Sequence, residues 1–316
     1  MNPPNALKVS VIVCTWNRCE TVLRCLRSLE AQTCPKDCYE VVVVDNNSTD
    51  DTPAAVSDLA SRSDMSVRYV REDRQGLSHA RNTGIEAARG EVLAFIDDDC
   101  TAEPGYVQAI LEVFEDATVD AAAGKVTCVL PRDLVTDLPQ GFDAARKVAH
   151  LDLGPQRRRM EPHEYALGCN LIVRKVPAVS VGCFRTDMGY AGESKVVGED
   201  TDFWDRLRAA GASMFWEPRA AVLHRVGPER FSKTAFRKAA YCYGQGSAIR
   251  RLGTRCGAAR RAGAVLRFSV QAGLNAIVWP LVSWSPKTRF EVELKMLEGL
   301  GKAAGALGRR DRVRRA

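Results

Sequence analysis

Two runs of β-branched residues, Val9–Val13 in VSVIVC and Val41–Val44 in EVVVVD, constrain this chain more than any other feature of it. Each has strand length and is followed at once by polar residues, the pattern of a strand buried in a parallel sheet. Parallel neighbours need a long crossover. Glu20 to Ala31 supplies one, with Val22, Leu23, Leu26 and Leu29 at helical spacing. The opening therefore reads as a βαβ unit. The composition, 46% hydrophobic and 27% charged, suits a globular protein and argues against wholesale disorder or a coiled coil.

The alternation continues. Thr52–Ser61 reads as a helix, Val67–Val70 as a strand, Ser78–Ala88 as a helix and Val92–Ile96 as a buried strand that ends in Asp97-Asp98-Asp99. Ligands of open α/β sheets bind beyond the carboxyl ends of the strands, so acids there suit a nucleotide-binding half within residues 1–100. Farther on, Tyr106–Glu115 reads as a helix and Ala121–Leu130 as a strand. A stretch rich in Pro and charge, with a helix near Phe142–His150, reaches Pro162. Leu171–Arg174 and Ser213–Glu217 read as short strands, and Asp202–Ala210 as a helix stopped by Gly211. At 316 residues the chain has room for two domains, or for one large α/β domain with an appendage.

Charge divides the chain. The total is +6, but residues 1–224 hold 25 Lys/Arg against 34 Asp/Glu, and residues 225–316 hold 20 against 5. An acidic body thus carries a basic tail. Within the tail, Ala264–Trp284 is about long enough to span a bilayer, yet Arg267, Gln271, Asn275 and Pro280 interrupt it. An interfacial or re-entrant helix on anionic lipid fits the surrounding Arg250, Arg251, Arg255, Arg260, Arg261, Lys287 and Arg289 and the final GRRDRVRRA. A helix packed on the body or on a second subunit fits too, so an oligomer stays open. No nucleic-acid motif accompanies the charge, and no nucleic-acid partner is expected. Eleven cysteines without a CxxC pair, and no export signal between Met1 and Lys8, point to buried thiols in a reducing cytoplasm. Cys34 and Cys38 lack a second pair with which to hold zinc.

Four acidic or basic features bear on chemistry. Asp45 closes the second strand, where a carboxylate can accept from a nucleobase or ribose, or simply hold a turn. Three adjacent carboxylates at Asp97–Asp99 repel one another unless a cation or donors neutralise them, and hard Mg2+ or Mn2+ takes oxygen ligands; a solvated acidic turn is the alternative. Glu199-Asp200 precedes the Asp202 helix and offers either a helix cap or a general base. His224 follows a strand and becomes a metal ligand only if Asp99 lies beside it.

In order, VSVIVCTWNR, VVVVDNNSTDDT, GLSHARNTGIEAARGEVLAFIDDDC, GEDTDFWDRLRAAG and LHRVG resemble the family 2 glycosyltransferases, from about Lys8 to about Gly227. The resemblance implies a GT-A fold: a Rossmann-like nucleotide-binding half over residues 1–100, an acceptor half over 101–227, and a mixed sheet flanked by helices. A basic, mainly helical extension over 228–316 would complete the chain. It also implies an inverting transfer of one sugar from a nucleotide-sugar donor, with UDP or dTDP favoured, to a glycan or lipid-linked acceptor in surface polysaccharide assembly. Carried over residue by residue, Thr15, Asn17, Asp45, Arg81 and Asn82 would border the donor, with Asp97 and with Asp98 near the ribose. Asp99 and His224 would hold Mg2+ or Mn2+. Asp200 would be the base and Glu199 its orienting neighbour or a hydroxyl ligand, while Gly168 and Asn170 in LGCNLIVRK would border sugar and acceptor.

Processive members carry a Q-x-x-R-W element and several membrane spans, and the chain has neither. Two other classes compete. A sugar-phosphate nucleotidyltransferase would need an early Gly-rich phosphate loop where CTWNR stands. A non-catalytic nucleotide-sugar-binding module would have no use for a base.

Overall fold

The computed structural model describes residues 8–191, 194–253, 256–281 and 284–308. Arg255 and all but the first residue of GRRDRVRRA therefore lie outside the described residues. In chain order the first elements are β1 (Val9–Thr15), α1 (Cys19–Glu30), β2 (Tyr39–Asp45), α2 (Thr52–Arg62), β3 (Ser66–Arg71), α3 (Leu77–Ala87) and β4 (Val92–Asp97). There follow β5 (Cys100–Ala102), α4 (Tyr106–Phe114), β6 (Ala121–Val129), α5 (Ala144–Ala149), β7 (Arg158–Arg159), β8 (Asn170–Arg174) and α6 (Lys175–Ser180). The remainder comprises β9 (Gly189–Ala191), β10 (Ser194–Val196), α7 (Glu199–Ala209), β11 (Met214–Arg225), α8 (Lys233–Leu252), α9 (Ala258–Leu281) and α10 (Pro286–Ala306).

The chain divides into two compact units, one of Met1–Val129, Ala145–Thr186 and Asp200–Val226, the other of Leu130–Ala144, Asp187–Glu199 and Gly227–Ala316. The first holds a sheet in the order β3-β2-β1-β4-β8-β6-β11-β5, with β7 beside β11. Strands β3, β2, β1 and β4 are parallel, β8 runs antiparallel between β4 and β6, and β6 and β11 are again parallel. Alternation along β1 sends Val9, Val11 and Val13 to a cluster with α1 and α4, and Ile12 to one with Phe203, Trp204 and Trp216. Each fully buried valine contributes roughly 1.5–3 kcal/mol.

Three sequence expectations change. The strand expected over Ser213–Glu217 runs on to Arg225, because the sheet passes Pro218 with a bulge: register jumps from Glu217 opposite Gly124 to Ala221 opposite Lys125. A proline cannot donate to the ladder, which is why the run reads as broken in the sequence. His224 consequently lies within β11 rather than after a strand. Glu199 and Asp200 stand in the first turn of α7, not before it.

Among its described residues the second unit holds α8, α9 and α10, the antiparallel pair β9–β10 and the irregular stretch before α5. Helices α8 and α10 touch backbone to backbone: a Cβ on Gly244 would stand 2.1 Å from the Glu298 carbonyl, and one on Gly301 2.0 Å from that of Tyr241. Arg237 and Glu293 pair across the same two helices at 2.7 Å. Phe142 meets Phe236 and Phe290 edge-on at 5.1 and 5.2 Å. Among the described residues, no helix is long and apolar enough to cross a membrane.

Candidate active site

Parallel pairing puts the carboxyl ends of β1, β2 and β4 side by side: Thr15 is in register with Asp45, and Cys14 with Asp97. After Asp99 the chain turns into β5, which pairs antiparallel with β11 so that Cys100 stands opposite His224. The Arg225 amide donates to the Asp99 carbonyl at 2.9 Å and locks that register. Two segments 125 positions apart in the chain thereby bring His224 Nε2 to 3.0 Å from Asp99 Oδ1. His224 is 4% exposed. Neither of its ring nitrogens, nor Asp99 Oδ1, has a hydrogen bond of good geometry. Asp97, Asp99 and His224 can direct one ligand atom each into a space under 4.8 Å across. Orphaned buried O and N donors of this kind suit a hard divalent ion. Cys100 and Cys169 crowd the same imidazole.

Electrostatics separate the three acids. Burial pushes Asp98 up to about 6, against the pull of Arg18 and the Thr15 hydrogen bond. Burial also raises Asp97, helped by the Asp99 and Asp200 charges and opposed by Arg81 and His224. For Asp99 the burial penalty is outweighed by His224 and Arg18, so its carboxyl falls below the usual range. Burial lowers the His224 imidazole, but Asp99 and Cys169 more than reverse this, and it ends well above an ordinary histidine.

Two arginines reach the acids. Arg18 Nη1 donates to Asp98 Oδ1 at 2.9 Å and to Asp99 Oδ2 at 3.1 Å. Thr15 Oγ1 donates to the other Asp98 oxygen at 2.8 Å. Arg81, buried on α3 with its guanidinium 5.2 Å from the Phe184 ring, holds Asp97 Oδ1 at 3.5 Å and the Gly168 carbonyl at 3.4 Å. The Gly168 amide in turn donates to Asp200 Oδ2 at 3.0 Å, and the Thr201 amide to Asp200 Oδ1 at 2.7 Å. A continuous run of contacts thus joins Asp200, Gly168, Arg81, Asp97 and, through the acidic turn, Asp99 and His224. A side chain at Gly168 would force its neighbours to shift, since a Cβ would lie 2.7 Å from Arg81 Nη2 and 3.1 Å from Asp200 Oδ2.

Other expected residues make hydrogen bonds within the protein, although the buried Asn170 Oδ1 has no partner. Asp45 is fully buried, accepting from the Ser48 amide at 2.9 Å and the Tyr69 hydroxyl at 2.7 Å. Asn17, at φ 52°, accepts from the Thr49 amide at 2.7 Å and joins the loops after β1 and β2. Asn82 pairs both amide atoms with the Phe184 backbone, at 2.8 and 2.9 Å. Asn170 is buried and donates to the Lys125 and Ala220 carbonyls, at 2.9 and 2.8 Å, across the β11 bulge. Glu199 is buried at the start of α7 and accepts from the Gly198 amide at 3.2 Å. Arg18 is the residue the sequence reading lacks; its only signal there is its place in the turn after β1.

The model of glycosyl transferase family 2 matches residues 10–176, more than half of the chain. The chain belongs to that family. The transferase is 30% identical to glycosyltransferase AglE of Haloferax volcanii over 220 residues, 70% of this chain and 67% of that protein. It is 27% identical to the succinoglycan biosynthesis protein ExoM of Rhizobium meliloti over 310 residues, 97% and 95% of the two chains. In fold the transferase is similar to the mannosyltransferase PcManGT of Pyrobaculum calidifontis, solved with GDP-Man and Mn2+ (TM-score 0.62, 22% identity, 95% of this chain and 88% of that one). It is a glycosyltransferase with a GT-A fold and a helical C-terminal region.

Proposed function

We propose that this glycosyltransferase moves a single sugar, with inversion, from a UDP- or dTDP-sugar to a hydroxyl of a glycan or lipid-linked acceptor in the assembly of a surface polysaccharide. The observation that carries the reading is the unbroken run from Asp200 through Gly168 and Arg81 to Asp97, with His224 against Asp99. It links a carboxylate fit to take a proton to a cluster fit to hold the divalent cation that accompanies a nucleoside diphosphate. Succinoglycan biosynthesis in the name of ExoM supports the polysaccharide context.

In this reading Asp99 and His224, with Asp97, would hold Mg2+ or Mn2+, and the ion would supply Lewis-acid charge neutralisation for the departing diphosphate. Arg81 and Arg18 add fixed positive charge to the same region, Arg81 from a buried position where its effect is least screened. Asp98, fixed by Thr15 and Arg18, is placed to accept from a ribose hydroxyl. Asp200 takes the proton of the attacking hydroxyl with the lone pairs left free by Gly168 and Thr201. A single displacement from the face opposite the leaving group inverts the anomeric carbon. Glu199 is a positioning residue for the first turn of α7. Asp45, Asn17, Asn82 and Asn170 shape the donor and acceptor loops from behind.

The testing experiment is a thermal-shift panel of UDP, dTDP, GDP and CDP, each with and without Mn2+, on the wild type and Asp99→Ala. A ligand at about 100 times its Kd stabilises the fold by roughly 2.7 kcal/mol. The expected result is a metal-dependent shift with UDP or dTDP that Asp99→Ala loses. No shift with any diphosphate would overturn the assignment of the donor site, and a shift with GDP alone would overturn the donor base.

A further inference from the structure

Helix α9 carries three arginines and no acid, and one of its faces is bare. Leu266, Val270, Leu274, Ile277 and Leu281 follow at intervals of four, four, three and four, the spacing of a single helical stripe. Each is exposed, by 68, 54, 53, 66 and 62%. Trp284, just past the helix, is 78% exposed. The opposite face packs: Ala272 is buried against Gly299 of α10, and Arg289 stacks over the Trp279 ring at 3.8 Å. The stripe is therefore the face of α9 turned away from α10. Soluble chains scatter single exposed apolar residues, but a five-member row with an indole at its end marks an interaction surface.

Charge selects the occupant. Arg260 and Arg267 flank the stripe on the helix itself, and Lys287 is exposed just beyond Trp284. An apolar partner protein has no need of such a rim, whereas lipid phosphates do. A helix with a leucine-rich stripe, basic flanks and a terminal Trp has the chemistry that lies in the headgroup–acyl boundary of a bilayer. Its residues are too interrupted to cross one.

We propose that the α9 stripe from Leu266 to Leu281, with Trp284, seats this protein on an anionic membrane surface. The stripe enters the upper acyl region and the flanking cations stay at phosphate level. This surface shares no residue with the candidate active site and does not rest on the proposed donor or mechanism.

The test is co-flotation of the full chain with phosphatidylcholine vesicles, pure or with roughly one third phosphatidylglycerol. Leu266→Glu with Ile277→Glu puts two carboxylates in the stripe at positions that support no core. The wild type should float with the anionic vesicles and release at high salt, and the glutamate pair should weaken that binding at least tenfold with an unchanged circular-dichroism spectrum. Should the pair misfold, Arg267→Gln with Lys287→Gln provides a second reading, a severalfold loss on anionic vesicles only. Brominated lipid should quench Trp284, read as the difference between wild type and Trp284→Phe. Failure of the wild type to float would overturn the proposal, as would binding unaffected by either pair. So would a wild-type dimer in sedimentation equilibrium that the glutamate pair turns into monomer, because a second copy would then own the face.

Discussion

His224 Nε2 lies 3.0 Å from Asp99 Oδ1 in a setting that leaves both atoms without a well-formed hydrogen bond. The pair is positioned by the register of β5 against β11. Replacing His224 by Ala removes the cation and leaves the Asp99 carboxylate largely buried with Arg18 alone. Breaking one side of a buried pair costs about 3–5 kcal/mol, and the remaining Arg18 contact should keep the loss near the lower end. Calorimetric titration with Mn2+ should show at least a tenfold weaker association for His224→Ala. Equal Mn2+ affinity in the two proteins would exclude the histidine as a ligand.

Asp98 makes the metal-free fold sensitive to pH in a defined direction. Its carboxyl is raised to about 6, so between about 4 and 6 the native state binds more protons than the unfolded chain. Stability at this residue is therefore lost as pH rises through that window, by an amount on the order of 3 kcal/mol. The Asp99–His224 pair behaves differently. A lowered acid and a raised imidazole stabilise fully between roughly pH 4 and 6.5, and the contribution fades outside those limits. Without metal, Asp98→Asn should melt above the wild type at pH 7.5, and the gap should narrow to about a third by pH 4.5. A difference independent of pH would mean that burial does not perturb Asp98.

How much of this was legible depends on the range of the interaction. Strands β1, β2 and β4, and the acids that end them, are visible because burial on both faces writes a contiguous apolar run into the chain. His224 beside Asp99 is conditional in the sequence, since a three-residue β5 has too few positions to show a period and its register with β11 is a tertiary fact. The length of β11 is hidden by Pro218. Asp45, Asn82 and Asn170 stand out by residue type, yet the fold uses their polar atoms to join loops and strands. Arg18 is one arginine among many until folding sets it against Asp98 and Asp99.

Asp200→Asn keeps an oxygen for the Gly168 amide while removing the basic lone pair. Turnover should fall by about two to four orders of magnitude, the usual contribution of a general base. The Kd of the nucleoside diphosphate should stay within about threefold, because the proposed donor contacts are those of Arg81 and the acidic turn. Release of diphosphate in the presence of acceptor, measured beside diphosphate binding, separates the two. Near-wild-type turnover would remove Asp200 as the base.

Gly168→Ala tests the run of contacts itself. The added Cβ would meet Arg81 Nη2 at 2.7 Å and Asp200 Oδ2 at 3.1 Å, so one of the two must give way. Misplacing a reacting group by about 1 Å can cost on the order of 100-fold in rate. The expectation is a loss of that size in kcat with a fall in stability of only about 1–2 kcal/mol. Unchanged kcat would show that Arg81 and Asp200 can shift without penalty.

The helical unit offers a comparison in which one substitution has opposite signs at two sites. Gly301 and Gly273 are both interior to long helices, α10 and α9. At Gly301 a Cβ would lie 2.0 Å from the Tyr241 carbonyl oxygen and 2.9 Å from its carbon, backbone atoms that cannot rotate aside. At Gly273 nothing lies within 4 Å. Relieving the first clash means separating α8 from α10, so Gly301→Ala should destabilise by about 3 kcal/mol or more, above the ordinary overpacking cost. Gly273→Ala meets no such obstacle and gains helix propensity, up to about 1 kcal/mol. Urea denaturation of both variants beside the wild type should give midpoints that move in opposite directions. Movement in the same direction would mean that α8 and α10 do not make this close approach.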